Sequence, residues 1–371
     1  MINVFSPKIT IQDFWSVNKA LVKSQISGTS PIVKDFEKAF AKYNSRKYAV
    51  AVSNGSVALD LAFKSLDLKK NDEVILPALT IISCLSAVLR SGAKPVFCEV
   101  DQDSWNMTLK NVKEVVTDST KVILVVHTYG LPAEIKKIKE YADKKKILII
   151  EDSAEAHGLT NDDILCGQLG DISTFSFYAN KHVTTGEGGM LLTDSEEIYL
   201  ELQQMRNLDF KNSSRFKHQN LYWNYRMSGL QAALGLSQLS NLNKNIQKKI
   251  QQGNTYLHLL QNYQEYFQLP MKINEKDINH YWIFGIVLKK QNIRDALIDL
   301  LLSEGIETRP FFYPLHMQPL LNDKFKYDNK LPITEYLGLN GLYLPLGHHI
   351  KPPVQKKIVS KLVSGVEDLS R

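Results

Sequence analysis

The feature that most constrains this chain is an alternation that begins near residue 34 and runs to residue 153. Helical patterns (VKDFEKAFAKYN, SVALDLAFKSL, a segment around TIISCLSAVLRSG, LKNVKEVV, AEIKKIKEYADKKK) take turns with short apolar runs (YAVAVS, DEVILPA, KPVFCEV, KVILVVHTY, ILIIEDS). The runs are continuously apolar instead of alternating with polar residues, so both faces of their sheet are buried. Repeated helical crossovers make such a sheet mostly parallel and right-handed. Two further strands follow, DISTFSFY and GGMLLTD. They are separated by about nine residues and no helix, which predicts an antiparallel edge or a hairpin-like return. A mostly parallel seven-stranded sheet inside an α/β domain is the expected fold.

Beyond it, a helical pattern starts at Ser228, with Gln231 three residues on in a capping-box arrangement, and extends to about residue 261. The rhythm then changes: YWIFGIVL, TRPFF and GLYLPL are expected strands among helices. The chain of 371 residues is long for one core. We draw a domain boundary in the long helix, dividing residues 1–245 from a smaller α/β domain, 246–371.

Where composition matters is in what it excludes. Hydrophobic residues at 44% and charged residues at 23% are those of a globular enzyme. No apolar run approaches the ~20 residues of a membrane span, and the start MINVFSPKITIQDFW lacks the pattern of a secretory signal. Cys84, Cys98 and Cys166 have no metal-ligand spacing and are expected to be reduced, small apolar residues of a cytoplasmic protein. The net charge of +6 suits an anionic substrate. The lysine-rich stretches 136–146 and 243–252 are expected to be solvated helix faces, so nucleic acid is not an expected partner.

In an open α/β sheet, ligands bind beyond the carboxyl ends of the strands. After YAVAVS comes Ser53-Asn54-Gly55-Ser56 and then a helix. Such a turn offers unpaired backbone N–H groups to a phosphate, although an ordinary helix cap has the same composition. After ILII comes Glu151-Asp152; a carboxylate there needs a partner or a ligand, unless Asp152 only caps a helix. After DISTFSFY comes Lys181, in the polar turn ANKHVTTGEGG, where a lone lysine is ordinarily solvated. Together the three suit pyridoxal phosphate, which requires an amine for its aldehyde, a carboxylate for its ring nitrogen and a phosphate cradle. Burial would make the amine nucleophilic.

The stretches SNGSVALDLA, EVILPALT, VVHTYGLPAE, EDSAEAHG, GDISTFSFYANKHVTTGEGGML, WNYRMSGLQAALGLSQL and GIETRPFFYPLHMQP resemble, in the same order over roughly residues 25–350, the motifs of the DegT/StrS-type nucleotide-sugar aminotransferases. These are fold-type-I pyridoxal-phosphate enzymes. NKHVTTGEGGM and WNYRMSGLQAALG look most similar to the perosamine synthase group, which aminates carbon 4 of a 4-keto-6-deoxy sugar. The resemblance implies that Lys181 holds the cofactor aldehyde and that Asp152 faces its ring nitrogen. Glu155 lies near its phenolic oxygen and Ala154 under one ring face. Gly55, Ser56 and Ser176 meet the phosphate, and Asn224 reaches it from a second subunit, which implies a homodimer with shared sites. Tyr313, His316 and Arg309 resemble residues near the substrate. Ile81 stands where the family usually has an aromatic stacked on the ring; apolar cover remains, without a stacking contribution of about 0.5–1.5 kcal/mol.

The implied reaction is amination of a nucleotide-linked keto-deoxysugar, with L-glutamate leaving as 2-oxoglutarate, in surface polysaccharide or O-antigen synthesis. A 3-keto sugar is the alternative substrate. A related sugar 3-dehydratase would carry histidine at the lysine position, and a non-catalytic regulator would have no need of Lys181, Asp152 and the phosphate turn together.

Overall fold

The expected alternation is realised strand for strand in the computed structural model, which describes residues 1–210, 216–271, 278–321 and 330–371. In chain order the strands are β1 (Tyr48–Val52), β2 (Glu73–Pro77), β3 (Lys94–Cys98), β4 (Thr120–Val126), β5 (Leu148–Asp152), β6 (Thr160–Asn161), β7 (Ile164–Leu165), β8 (Ile172–Ser176) and β9 (Gly189–Thr193). β6 and β7 form a small hairpin of their own. The other seven make one sheet in the order β1-β9-β8-β5-β4-β2-β3. All are parallel except β9, which runs antiparallel to both β1 and β8. The hairpin-like return is therefore present. β9 is not an edge strand, however, because β1 covers its other side.

Both faces of the sheet are buried, as continuous apolar runs require. Val122, Leu124 and Val126 of β4 pack with the helices Gly55–Lys64 and Ile82–Ser91. Ile123 and Val125, pointing the other way, pack with Ile135 and Ile138 of the Ile135–Lys145 helix. Each such aliphatic side chain contributes about 1.5–3 kcal/mol by leaving water.

The long helical pattern is divided. Ser228 and Gln231 do form the capping box, but the helix ends at Ser240 and a second runs Leu242–Leu260. Asn241 between them has ψ 2° and its amide nitrogen donates to the Ser237 carbonyl at 3.2 Å, a local side-chain bond that competes with helix continuation.

A second sheet has the order β10-β11-β13-β12 and is antiparallel throughout. Its strands are β10 (Phe267–Gln268), β11 (Phe284–Leu288), β12 (Arg309–Pro310) and β13 (Gly341–Leu344). The expected strand TRPFF shrinks to two residues on the sheet edge, where Pro310 has no N–H to give. The helices Arg294–Ser303 and Pro352–Ser370 back this sheet through Leu297, Leu301, Ile358 and Leu362. The N-terminal residues are tied to the turn after the Arg294–Ser303 helix: Ile2 N–H donates to the Gly305 carbonyl at 2.7 Å. Among the described residues, no helix is long and apolar enough to cross a membrane.

Candidate active site

Because β1, β2, β4, β5 and β8 are parallel, their carboxyl ends lie along one sheet edge. That edge collects Gly55 and Ser56 after β1, Ile81 after β2, Tyr129 after β4, Asp152 at the end of β5, and Ser176 and Lys181 at and after β8. The antiparallel β9 starts at the same edge, with Gly189 opposite both Val52 and Ser176. A Cβ at Gly189 would sit 2.4 Å from the Asn54 carbonyl oxygen, so only glycine lets the lysine loop close against the β1 turn.

Lys181 is not solvated. Its side chain is 9% exposed, with Nζ 3.5 Å from Glu155 Oε1 and 3.8 Å from the centre of the Trp282 ring. Burial lowers its pKa, and Glu155 and Asp152 pull the other way. The loop turns away at Gly186, whose φ is +80°. Thr184 pins that turn by donating to the Phe177 carbonyl and accepting from Gly186 N–H. Glu155 accepts from Tyr129 N–H at 2.8 Å through its second oxygen, and burial lifts it to about 7. The Tyr129 hydroxyl in turn accepts from Phe312 N–H at 2.6 Å, which links the Lys181–Glu155 pair to the chain beside β12.

Asp152 is no helix cap: turns, not a helix, follow it. It is 3% exposed. One oxygen accepts from Ala154 N–H at 3.0 Å and the other faces the Cys84 thiol at 3.5 Å. Burial raises its pKa. Its neighbour Glu151 points to the other side of the sheet, where His127 Nε2 lies 2.9 Å away and Gly167, Leu169 and Gly170 donate backbone N–H groups. His127 Nδ1 accepts from Ala133 N–H, so its Nε2 carries the proton given to Glu151. Burial favours the neutral carboxyl, but these bonds outweigh it and Glu151 is held below the usual range.

At the far end of the edge, Asn54 caps the Gly55–Lys64 helix through Val57 N–H. Ser56 is exposed and shares a 2.7 Å hydrogen bond with Ser83. Gly55 and Ser176 abut: a Cβ on Gly55 would meet Ser176 Cβ at 2.8 Å. Helix N-terminus, hydroxyls and close backbone together make a cradle for a phosphate. Ile81 is 42% exposed beside these groups on the same edge.

Comparison with known proteins gives this arrangement a context. Residues 8–363 match the DegT/DnrJ/EryC1/StrS aminotransferase family. The chain belongs to that family. It is 36% identical over 345 residues to the GDP-perosamine synthase of Escherichia coli O157:H7, covering 93% of each chain. Among solved structures, it is similar to the aminotransferase TlmJ from Streptoalloteichus hindustanus (TM-score 0.94, 26% identity, 100% of both chains). It also resembles the E. coli GDP-4-keto-6-deoxy-D-mannose-3-dehydratase with bound hydrated PLP (TM-score 0.90, 27% identity, 98% of this chain and 100% of that one).

The residues of this aminotransferase fit pyridoxal 5′-phosphate. A buried amine, a buried carboxylate with few partners and a cradle too tight for a Cβ lie along one sheet edge. Among the described residues there is no cluster that could hold a metal instead. The other expected residues are placed differently. Asn224 is exposed and accepts from Arg226 N–H. Arg309 pairs with Glu307 at 3.2 Å and stacks over Phe5. Tyr313 is 43% exposed, while His316 turns Nε2 to Glu335 at 3.1 Å.

Sequence reasoning missed four contributors. Trp282 sits inside a run that reads only as a strand, 101 positions from the lysine it covers. Cys84, expected to be merely apolar, touches Asp152. Tyr129 lies in a quoted motif without an assigned role. Lys249, assigned to a solvated face, instead has its amine 2.9 Å from the Trp282 carbonyl.

Proposed function

We propose that this aminotransferase uses pyridoxal 5′-phosphate to transfer an amino group from L-glutamate to a nucleotide-linked keto-deoxysugar, a 4-keto-6-deoxyhexose. The observation that carries the reading is Lys181, buried between Glu155 and the Trp282 ring. That lysine distinguishes amination from dehydration, and its desolvation keeps an uncharged fraction of the amine available as nucleophile and base. The cofactor, when bound, supplies an aldehyde for amines and a ring that accepts electrons from an adjacent carbanion. Lys181, freed of the aldehyde, would act as the base that takes the proton from the donor's α carbon and as the acid that gives one to the sugar carbon. Asp152 holds the ring nitrogen, Glu155 sets the charge around the amine, and Gly55, Ser56 and Ser176 hold the phosphate. Ala154 and Ile81 cover the ring faces.

The relatives named GDP-perosamine synthase favour a GDP-linked substrate and carbon 4. The exposure of Asn224, Trp223 and Leu221 supports a homodimer in which Asn224 completes the partner's phosphate site. We place the boundary between the cofactor domain and the smaller domain at 245/246, with Arg309, Tyr313 and His316 on the substrate side. A cytoplasmic location follows from the supply of nucleotide sugars. The test is a panel of 4-keto and 3-keto sugars linked to GDP, UDP, dTDP or CDP, incubated with glutamate and scored by product mass. Amine formed from a 3-keto substrate alone would overturn the carbon-4 assignment.

A further inference from the structure

A second buried lysine stands beside the first. Lys181 and Lys249 are held by opposite ends of one residue: the Trp282 ring lies 3.8 Å from Lys181 Nζ and the Trp282 carbonyl 2.9 Å from Lys249 Nζ. Both lysines line a cavity of about 50 Å³, together with Lys8 and Lys248, and no aspartate or glutamate lines it. Of its two histidines, burial lowers His182 well below the usual range, and His348 is lowered by partial burial and by His349. Asn180 also lines it, and Asn180 Oδ1 is buried with no partner; a half-turn of that amide presents its NH₂ to the same space. Lys249 itself is brought down to about 7 by burial and then by the Lys181 charge. Lys181 has Glu155 as its counter-charge, and Lys8 and Lys248 are exposed; Lys249, whose amine donates to a neutral carbonyl, is the cation that an anion in this space would stabilise.

We propose that this cavity receives the side-chain carboxylate of the amino donor, with Lys249 as its cation and Asn180 as a second donor. The inference rests on the aminotransferase reading with an acidic donor. Size favours the smaller anionic group: about 50 Å³ holds a few water-sized groups, which suits a carboxylate. Position agrees. The cavity borders Lys181 itself, the residue at which the donor's amino group would react, and Lys249 lines the same space. The cavity then explains a preference for a dicarboxylic donor, because an uncharged side chain would leave the Lys249 ammonium with a neutral carbonyl partner and no counter-charge.

The test exploits the two separable half-reactions. In the holoenzyme, Lys249→Met keeps the stem and removes the charge. Its kcat/KM for glutamate should fall tenfold or more, which corresponds to about 1.4 kcal/mol, while KM for the nucleotide sugar stays put. The preference for glutamate over glutamine should collapse in the same variant, and Lys249→Arg should recover most of it. Independently of turnover, glutarate should protect Lys249 of the wild-type holoenzyme from acylation, read by peptide mass. An unchanged kcat/KM for glutamate in Lys249→Met, a rise in KM for the nucleotide sugar instead, or acylation indifferent to glutarate would each overturn the proposal. Failure of every amino donor with the wild-type enzyme would strike the proposed reaction, and glutarate protection would still decide the cavity.

Discussion

Glu155 is the active-site carboxyl that burial moves into the neutral range, and Glu155→Gln isolates the consequence. Burial lifts the carboxyl from 4.5 to about 7, against the pull of Lys181 and Tyr129 N–H. A group that holds its proton more tightly when folded contributes stability below its unfolded value and loses it as pH rises through the folded one. At about 1.4 kcal/mol per pH unit, the interval from 4.5 to about 7 corresponds to about 3 kcal/mol. Glutamine cannot titrate, yet keeps an acceptor for Tyr129 N–H. The variant should therefore gain about 3 kcal/mol on wild type between about pH 4.5 and pH 8. Loss of the partner at Lys181 acts in the same direction, because a further lowered amine gives up its proton sooner as pH rises. Urea unfolding of the cofactor-free proteins, followed by tryptophan fluorescence at several pH values, measures the difference. If variant and wild type keep a constant separation, within about 1 kcal/mol, Glu155 does not titrate where the buried pair requires and the reasoning fails.

Three further outcomes test the site. Lys181→Ala should abolish transamination without unfolding the protein, and borohydride reduction with peptide mapping should place the cofactor on Lys181 in the wild type; label on another lysine refutes the assignment. Asp152→Asn should retain cofactor but lose about 10²-fold or more in turnover, because a preorganised charge is removed; near-normal turnover would leave Asp152 a structural residue. Mixing Lys181→Ala with Asn224→Ala subunits should restore about a quarter of wild-type activity, since half the dimers are mixed and each has one intact site; no recovery despite shown subunit exchange would end the shared-site proposal.

The sheet was legible because its cause is local. A strand buried on both faces must be apolar at every position, and the crossover helices between such strands leave one topology. The positions of Gly55, Asp152 and Lys181 were legible for a related reason: a residue at or just after the end of a parallel strand lies on the ligand edge wherever the strand sits in the sheet. Less legible were features set by competition. Whether the helix after Ser228 continues depends on Asn241, whose amide bonds the Ser237 carbonyl, and the expected TRPFF strand keeps only Arg309 and Pro310 on the sheet edge.

By itself, then, the sequence determined the α/β class, the parallel edge and the residues with chemistry to place on it, because periodicity and strand order act over neighbouring residues. Only the tertiary structure decided which groups surround them. Trp282 reaches Lys181 from the bend before β11, Cys84 reaches Asp152 from a helix 68 positions upstream, and Lys249, on the Leu242–Leu260 helix, meets the Trp282 carbonyl. Burial and the distance between charges set the proton affinities of Lys181, Glu155 and Lys249, and both are properties of the packed chain that no local pattern encodes.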